Sequence, residues 1–551
     1  MSSTFGVFPG LADLSQDILL YFSKQYLSRQ DLIALSSACT ALRAILRPLV
    51  FASCRWDDDL QPPKSVWSLI KHLYVHAERL QAAYASRFFL DLDGLTSLHV
   101  EGDYISDELV KILTSAHSLT TLDFSALCCG IGGDIRALTL PPLSYFPPLS
   151  CKPRVVKFCS RHHPDYLSPL RLLDRCIRRT SQVRRSFSSL LHQIDVSKVE
   201  TLEVGMEALS LPFASAYTWM SLTTLVVTGI SLHPDDAYED FKTELEMRAH
   251  AYVHLGTMLV TAPRLRVLRM LCRCHRGQHP HCTAWPADEP PPPSGTAIPE
   301  LEELDICNPA FEEGLLRQLP SSLRKLSLMA YPHILHNTLP LAYYLLAETR
   351  QIRGIRTAEE LIDILEARPM PELRQLRLSF RLHADMILFE RIATLFPLLE
   401  ELEIHAEIGP GCLWTPDELI DFARTLAPLA NLRVLKVSTF NKVLSGPPED
   451  DEDWSICCVG EPDEGEDPEE FMEMRMHEVR YHRWMNGLRT DDIVRAFGPL
   501  ESVSEFWLPT MVRTDLRRWR RVWQVYRIAR ENSLARLCLQ PGLTEMVEDG
   551  Y

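Results

Sequence analysis

One six-residue pattern recurs along this 551-residue chain and restricts what it can fold into. An apolar residue is followed by two variable positions, an apolar residue, one variable position and a third apolar residue. It occurs as IKHLYV from Ile70, LTSLHV from Leu95, LTTLDF from Leu119, VETLEV from Val199, LTTLVV from Leu222 and LRVLRM from Leu265. It continues as LEELDI from Leu301, LRKLSL from Leu323, LRQLRL from Leu373, LEELEI from Leu399 and LRVLKV from Leu432, eleven copies in all. Starts at 70, 95 and 119, at 199 and 222, at 301 and 323, and at 373 and 399 lie 22 to 26 residues apart, whereas gaps of 36, 43, 50 and 80 mark insertions or degenerate copies. The fourth and sixth positions lie two apart and share one face of a strand, while the third, fifth and seventh share the other. Segments with helical spacing follow several copies, at 106–118, 386–396 and 415–427. The first opens on a capping-box spacing at Ser106, and the last offers Thr415 as N-cap, Pro416 at the first helical position and Glu418 three residues after the cap. A strand-plus-helix unit of this size cannot bury its apolar side alone and must stack on its neighbours.

The motif and its period resemble the leucine-rich-repeat family. The resemblance implies an α/β solenoid, a horseshoe with parallel strands on its concave face and the Leu row as its core. Each buried Leu would then contribute roughly 1.5–3 kcal/mol. The ninth position, Asn or Cys in that family, is Asp103, Leu127, Ile230 and Arg381 in four copies here. The expectation is therefore an irregular horseshoe without a buried Asn ladder. Positions three, five and seven would line the concave sheet, which places Glu303, Asp305, Lys325, Ser327, Gln375, Arg377, Glu401, Glu403, His405 and Lys436 there. Mixed charge is what a solvated sheet face carries. Solenoids also bind partners on that side, so these residues are the candidate contacts for an unidentified protein target.

Residues 8–56 lack the repeat and read as two or three short helices. Leu14, Ile18, Leu19 and Phe22 form one stripe; Leu32, Leu35, Ala38, Cys39, Leu42 and Ile45 with Leu46 form another, with Ser28 and Asp31 framing the turn and Pro48 ending the second helix. So short a helical module is marginal alone. Its residues resemble an F-box. LSQDIL matches the start of that motif with Ser15 for Pro and Asp17 for Glu. DLIALSSACTALR matches it at Asp31, Leu32, Leu35, Cys39 and Arg43, with Ala38 for Val, and RPLVF supplies Pro48, Leu49 and Phe51. The resemblance implies that Leu14, Asp17, Ile18, Leu19, Asp31, Leu32, Leu35, Cys39, Arg43 and Pro48 bind a Skp-type adaptor, and through it a cullin scaffold. The other reading is a helical cap over the first repeat, which arrays of this kind require.

The expected layout is the F-box-like module at 8–56 and a solenoid at 64–445 interrupted at 128–198, 272–299 and 329–370. An acidic loop at 446–474, expected to be disordered, and a C-terminal repeat with capping helices at 475–551 complete it. In the last segment Leu516, Trp519, Trp523 and Tyr526 fall on one helical face beside Arg517, Arg518, Arg520 and Arg521. The net charge of −16 is local, because residues 449–473 hold thirteen acids and no Lys or Arg. Without them the chain is nearly neutral, at about −16 + 13 = −3, so charge gives no argument for nucleic-acid binding. No apolar run reaches membrane-spanning length, the first residues lack a secretory pattern, and fifteen Cys show no regular framework. An intracellular protein of cytoplasm or nucleus is expected.

The densest group of ligand-type side chains is CRCHRGQHPHC at 272–282. Cys272, Cys274, His279, His281 and Cys282 could close a tetrahedral zinc clip, or form an unligated polar loop at the start of the 272–299 insertion. No phosphate-binding Gly loop or nucleophile elbow is present, and GIGGD at Gly130 does not fit one. His477 and His482 are five apart, about 140° around a helix, which does not fit a shared metal. These absences point to a non-catalytic protein without cofactor, and the F-box resemblance implies a substrate receptor of a Skp–cullin–F-box ubiquitin ligase; the alternative is a leucine-rich-repeat scaffold with no ubiquitin-ligase role.

Overall fold

Leu73, Leu98, Leu122, Val156 and Leu202 stand side by side on successive parallel strands, and all are fully buried. These are the fourth positions of the repeat. They belong to the first of two compact units of a computed structural model, Met1–Ser210 and Leu211–Tyr551. The structure describes residues 15–56, 63–76, 92–102, 116–128, 151–161, 187–231, 255–274, 284–285, 298–329, 356–382, 386–408, 416–441 and 495–546, apart from short gaps within these ranges.

The first unit begins with helices α1 (Gln16–Tyr26), α2 (Arg29–Ala38) and α3 (Thr40–Val50). Ser15 caps α1 by accepting the Ile18 N–H. Ser28 and Asp31 form a reciprocal capping box on α2, and the hydrogen bonds that Asp31 Oδ2 accepts from the Ser28 hydroxyl and the Ser28 N–H hold its carboxyl below its usual range. The second apolar stripe is not one helix. Cys39 is extended (φ −155°, ψ 165°), which ends α2, and its Sγ accepts the Leu42 N–H to start α3. Pro48 lies inside α3 rather than after it. There it lacks the N–H that would bond the Ala44 carbonyl and its ring crowds that carbonyl, while Leu42 and Leu46 keep α3 in the buried core of the module. Leu19, Leu32, Leu42 and Leu46 form the core of the three helices.

Strands β1 (Ser53–Arg55), β2 (His72–His76), β3 (Ser97–Gly102), β4 (Thr121–Cys128), β5 (Val155–Phe158), β6 (Ser160–Arg161) and β7 (Thr201–Gly205) follow. They run parallel in the order β1-β2-β3-β4-β5-β7, with β6 on the far end of β4. The segment at 128–198 is thus not a plain insertion. PRVVKF is a degenerate copy with Pro153 at the first position, and Val156 and Phe158 are its buried pair.

The second unit contains β8 (Thr224–Thr228), β9 (Ile230–Ser231), β10 (Val267–Met270), β11 (Arg273–Cys274), β12 (Glu303–Cys307), β13 (Lys325–Met329) and β14 (Arg356–Thr357). It continues with β15 (Gln375–Leu382), β16 (Glu401–Ile408), β17 (Val434–Asn441) and β18 (Glu505–Arg513). Leu225, Leu268, Leu304, Leu326, Leu376, Leu402, Leu435 and Phe506 form its fourth-position row across parallel neighbours. Phe506 belongs to a further copy, VSEFWL from Val503. The register is locked at each step by the carbonyl of position two. Arg374 O, for instance, accepts both Glu400 N (2.8 Å) and Glu401 N (2.9 Å). Helices at Ile387–Leu395 and Pro416–Leu426 occupy two of the segments with helical spacing. Between them and the sheet runs an aromatic spine: Phe380, Phe389, Phe422, Phe497 and Phe506 stand in series with ring centroids 4.6 to 6.0 Å apart. Each unit is a leucine-rich-repeat α/β solenoid in which strand, turn and return segment alternate.

The C-terminal capping helices expected at 475–551 are replaced, over 519–546, by strands. β19 (Trp519–Glu531) pairs antiparallel with β18, and β20 (Leu534–Met546) with β19. Val522, Trp523, Val525, Tyr526 and Ile528 suit a strand by their β-branched and aromatic composition, and the neighbouring strand supplies their backbone partners. The acidic loop, residues 106–115 of the 106–118 segment, Thr415 and His477 with His482 lie outside the described residues.

Candidate functional site

With positions one, four and six in the core, the remaining odd positions, three, five and seven, form the polar face of each sheet. In the second unit, position five reads Arg269, Asp305, Ser327, Arg377, Glu403, Lys436 and Trp507 on successive strands from β10 to β18. Glu403 is the hub. It is 3% exposed, and its carboxylate accepts Arg377 Nε at 2.8 Å and lies 2.9 Å from His405 Nε2 and 3.9 Å from Lys436 Nζ. Burial pushes its carboxyl up, but the His405 hydrogen bond and the charges of Arg377, His405 and Lys436 prevail and hold it far below the usual carboxylate range. Lys436 also reaches Glu401 (3.3 Å) and lies over the Trp507 ring, 4.4 Å from its centroid, while Trp507 Nε1 donates to Glu505 (3.2 Å).

Asp305 shows the opposite balance. Burial raises its carboxyl, and the Ser327 hydroxyl with the charges of Arg377, Lys325 and Arg269 offsets this only in part. Glu303 on β12 lies 3.5 Å from Arg269 and 3.8 Å from Lys325. The structure therefore brings Glu303, Asp305, Lys325, Arg377, Glu401, Glu403, His405 and Lys436 into one continuous field, with Gln375 beside Lys325 and Glu401 at position three. Such a field can orient an approaching polar chain, yet most of its charges are already committed to one another. Arg269 and Trp507 belong to it and are found by applying the odd-position rule to β10 and to the degenerate copy at Val503.

The first unit has a polar face built by the same rule, from Tyr74, His99, Asp123, Lys157 and Glu203 at position five, with Glu101 at position seven of β3. His99 sits between two carboxylates, Nδ1 3.0 Å from Asp123 and Nε2 3.5 Å from Glu101, with the Tyr74 ring 5.1 Å away. The Asp123 hydrogen bond raises the imidazole pKa, burial opposes it, and the Asp123 and Glu101 charges add to the rise. Arg55 on β1 reaches Glu101 at 2.8 Å, and Lys157 reaches Glu203 at 2.8 Å.

The helical module separates the residues assigned to adaptor contact. Leu19 and Leu32 are core, and Leu35 and Cys39 pack against that core. Asp31 serves the α2 cap, and Arg43 Nε donates to the Ser36 carbonyl. Asp17, Ile18 and Pro48 are exposed, and Leu14 lies outside the described residues. The apolar groups that do face water are Ile18, Tyr21, Phe22, Tyr26 and Ile33. Tyr21, Tyr26 and Ile33 carry no letter of the family motif and could be found only by asking which apolar side chains the module's own core leaves over.

Cys272 is buried, with Sγ against the Val227 and Thr228 carbonyls at 3.7 and 3.9 Å, so it serves the sheet as a small apolar residue. Cys274 ends β11, and His279, His281 and Cys282 lie outside the described residues. Among the described residues no group of His, Cys, Asp and Glu is placed to hold a metal. What does anchor this segment is Glu313. Its buried carboxylate accepts the backbone N–H groups of Ala284 (2.7 Å), Trp285 (2.8 Å) and Leu315 (3.0 Å). No described helix is long and apolar enough to cross a membrane.

No protein-family model matches the chain, and no curated protein matches it. Among solved structures the chain is similar to an internalin from Listeria monocytogenes, at 13% identity over 75% of this chain and 89% of that one with a TM-score of 0.28. It is similar to a structure of the yeast Rad7 and Elc1 complex, at 12% identity over 76% and 86% of the two chains and a TM-score of 0.28. A structure of a TLR13–ssRNA13 complex aligns at 12% identity over 65% and 41%, with a TM-score of 0.24.

Proposed function

We propose that the chain is the substrate-recognition subunit of a Skp–cullin–F-box ubiquitin ligase. The helical module docks on a Skp-type adaptor, the repeats hold a protein target, and the chain contributes proximity rather than an active site. One observation carries the adaptor half. Ile18, Tyr21, Phe22 and Tyr26 follow helical spacing on α1 and are 47 to 69% exposed, although the module already has a closed Leu core. An aromatic stripe left in water by a closed module is the composition of a protein contact. Co-purification of the intact chain with a Skp-type adaptor tests this. Tyr21→Asp with Phe22→Asp should abolish capture without unfolding the module, and failure of the intact chain to capture an adaptor would sink the reading.

A scaffold without ubiquitin-ligase role is the second reading, and a specific feature favours it. The module is joined to the first repeats as a cap would be: β1 pairs with β2, Arg47 donates to the Ser65 carbonyl (2.7 Å), and Trp56 N donates to the Tyr74 carbonyl (2.7 Å). It predicts target binding that survives deletion of residues 1–50, with no ligase subunits in pulldowns.

A further inference from the structure

We infer that the fork between β17 and β18 is a strand-docking site for an extended, uncharged segment of a protein target; this rests on the reading that the repeats hold such a target. β16 and β17 pair along their whole length, Glu401–Ile408 with Val434–Asn441. β17 and β18 pair only at Val434–Lys436 with Glu505–Trp507, and then separate. Beyond that point β17 stays with β16, and β18 goes on with β19 as far as Arg513. The last joined pair is held by Lys436, whose Nζ lies 4.4 Å from the Trp507 ring centroid. Past it, among the described residues, 437–441 and 508–513 each present one backbone edge with no strand partner.

Pro509 accounts for the separation. Glu505 N donates to the Arg433 carbonyl (3.0 Å), and the backbone groups of successive strand residues turn to alternate sides, so Trp507 and Pro509 are the next β18 residues turned to β17. Continued pairing needs a donor at 509 for the Val437 carbonyl, and proline has none. On β17, Val434 N donates to the Glu400 carbonyl (3.1 Å), which turns Val434 to β16 and leaves Leu435, Val437, Thr439 and Asn441 turned to β18. The fork therefore receives the Val437 carbonyl and the N–H and carbonyl groups of Thr439 and Asn441. Those groups recur every second residue, the spacing at which another strand's backbone pairs. This edge lacks the usual protection against strand addition, since Val437, Ser438, Thr439, Phe440 and Asn441 include no charge and no proline. Residues 508–512 across the fork are uncharged as well. A charged segment gains no ion pair from these residues, whereas an uncharged, β-prone one gains main-chain hydrogen bonds, the recognition mode of strand addition.

The experiment uses the full chain and a labelled, end-capped octapeptide of alternating Thr and Val, followed by fluorescence anisotropy. The same octapeptide N-methylated at every residue keeps the side chains but has no N–H to donate, and should bind on the order of tenfold more weakly. Thr439→Pro removes a donor turned to the fork, leaves the β16 ladder intact and should weaken binding several-fold. Pro509→Val restores the missing donor and lets β18 continue along β17. It should abolish binding while raising thermal stability, so unfolding cannot explain that loss. Hydrogen exchange at Thr439 and Asn441 should be fast in the free chain and slow with the octapeptide bound. No binding by the wild-type chain, equal binding of the methylated octapeptide, or unchanged binding in Pro509→Val would each overturn the inference. Slow exchange at both amides before the octapeptide is added would also overturn it, because residues of the chain itself would then occupy the fork. Adaptor capture is read separately, so its failure and this one are distinguishable.

Discussion

Glu403 and His99 occupy the same position of the repeat in different units, and their surroundings are inverted. Glu403 is a carboxylate ringed by Arg377, Lys436 and His405, and it is buried. His99 is an imidazole held between Asp123 and Glu101, with an open tyrosine beside it. The apolar row beneath is the same in both. The same scaffolding therefore carries a carboxylate hub in one unit and an imidazole hub in the other, and the two respond to pH in opposite senses. The Glu403 pKa is depressed on folding. Its contribution is present above the unfolded value of about 4.3 and is lost only as pH falls through the folded value, far into acid. The His99 pKa is raised on folding. Its contribution is complete below about 6.5 and is lost as pH rises through the folded value.

The contrast can be broken at its strongest point first. Glu403→Ala strands Arg377 and Lys436 without their shared acceptor and should cost about 3–5 kcal/mol. Hydrogen exchange over β15 to β17 reads this locally, and exchange unchanged from wild type would mean that the hub is not structural. Phe422→Ala, in the middle of the aromatic spine, should open the same unit by about 3–5 kcal/mol while leaving His99 and its pH response untouched. Glu313→Ala leaves three backbone N–H groups without their acceptor and should cost about 1–3 kcal/mol, seen as faster exchange at Ala284 and Trp285. His99→Gln should cost about 1 kcal/mol at slightly acid pH, with the gap to wild type closing as pH rises; a gap that widens would reverse the sign argued above. Asp421→Ala, which removes an exposed i,i+3 partner of Arg424, should change stability by less than about 0.5 kcal/mol, a floor for the others.

Most of the candidate site in the second unit was legible, because the odd-position rule needs only strand register and the copies are strong there. The first unit's site follows from the same rule at Ile70, Leu95, Leu119 and Val199, except Lys157, whose repeat copy starts on Pro153. What the rule could not separate was a charge facing water from one buried by its neighbours. Glu401 and Glu403 are both odd-position acids two residues apart in the sequence, yet Glu401 is partly exposed while Glu403 is enclosed by Arg377 of one neighbouring strand and Lys436 of the other.

The sequence by itself determined the parallel sheet and its core row, because a period-two apolar pair repeated at near-constant spacing has one way to bury every copy at once. It also determined the capped α2, whose Ser28 and Asp31 act within three residues of each other. Only the tertiary structure decided the rest. Residues 519–531 form a strand because β18 and β20 offer backbone partners on both edges, and helical periodicity over the same residues could not see them. Cys39 breaks a stripe that reads as continuous, and Leu19 and Leu32 turn inward while Phe22 and Tyr26 stay in water. Those outcomes depend on contacts between residues distant along the chain, and such contacts leave no local pattern.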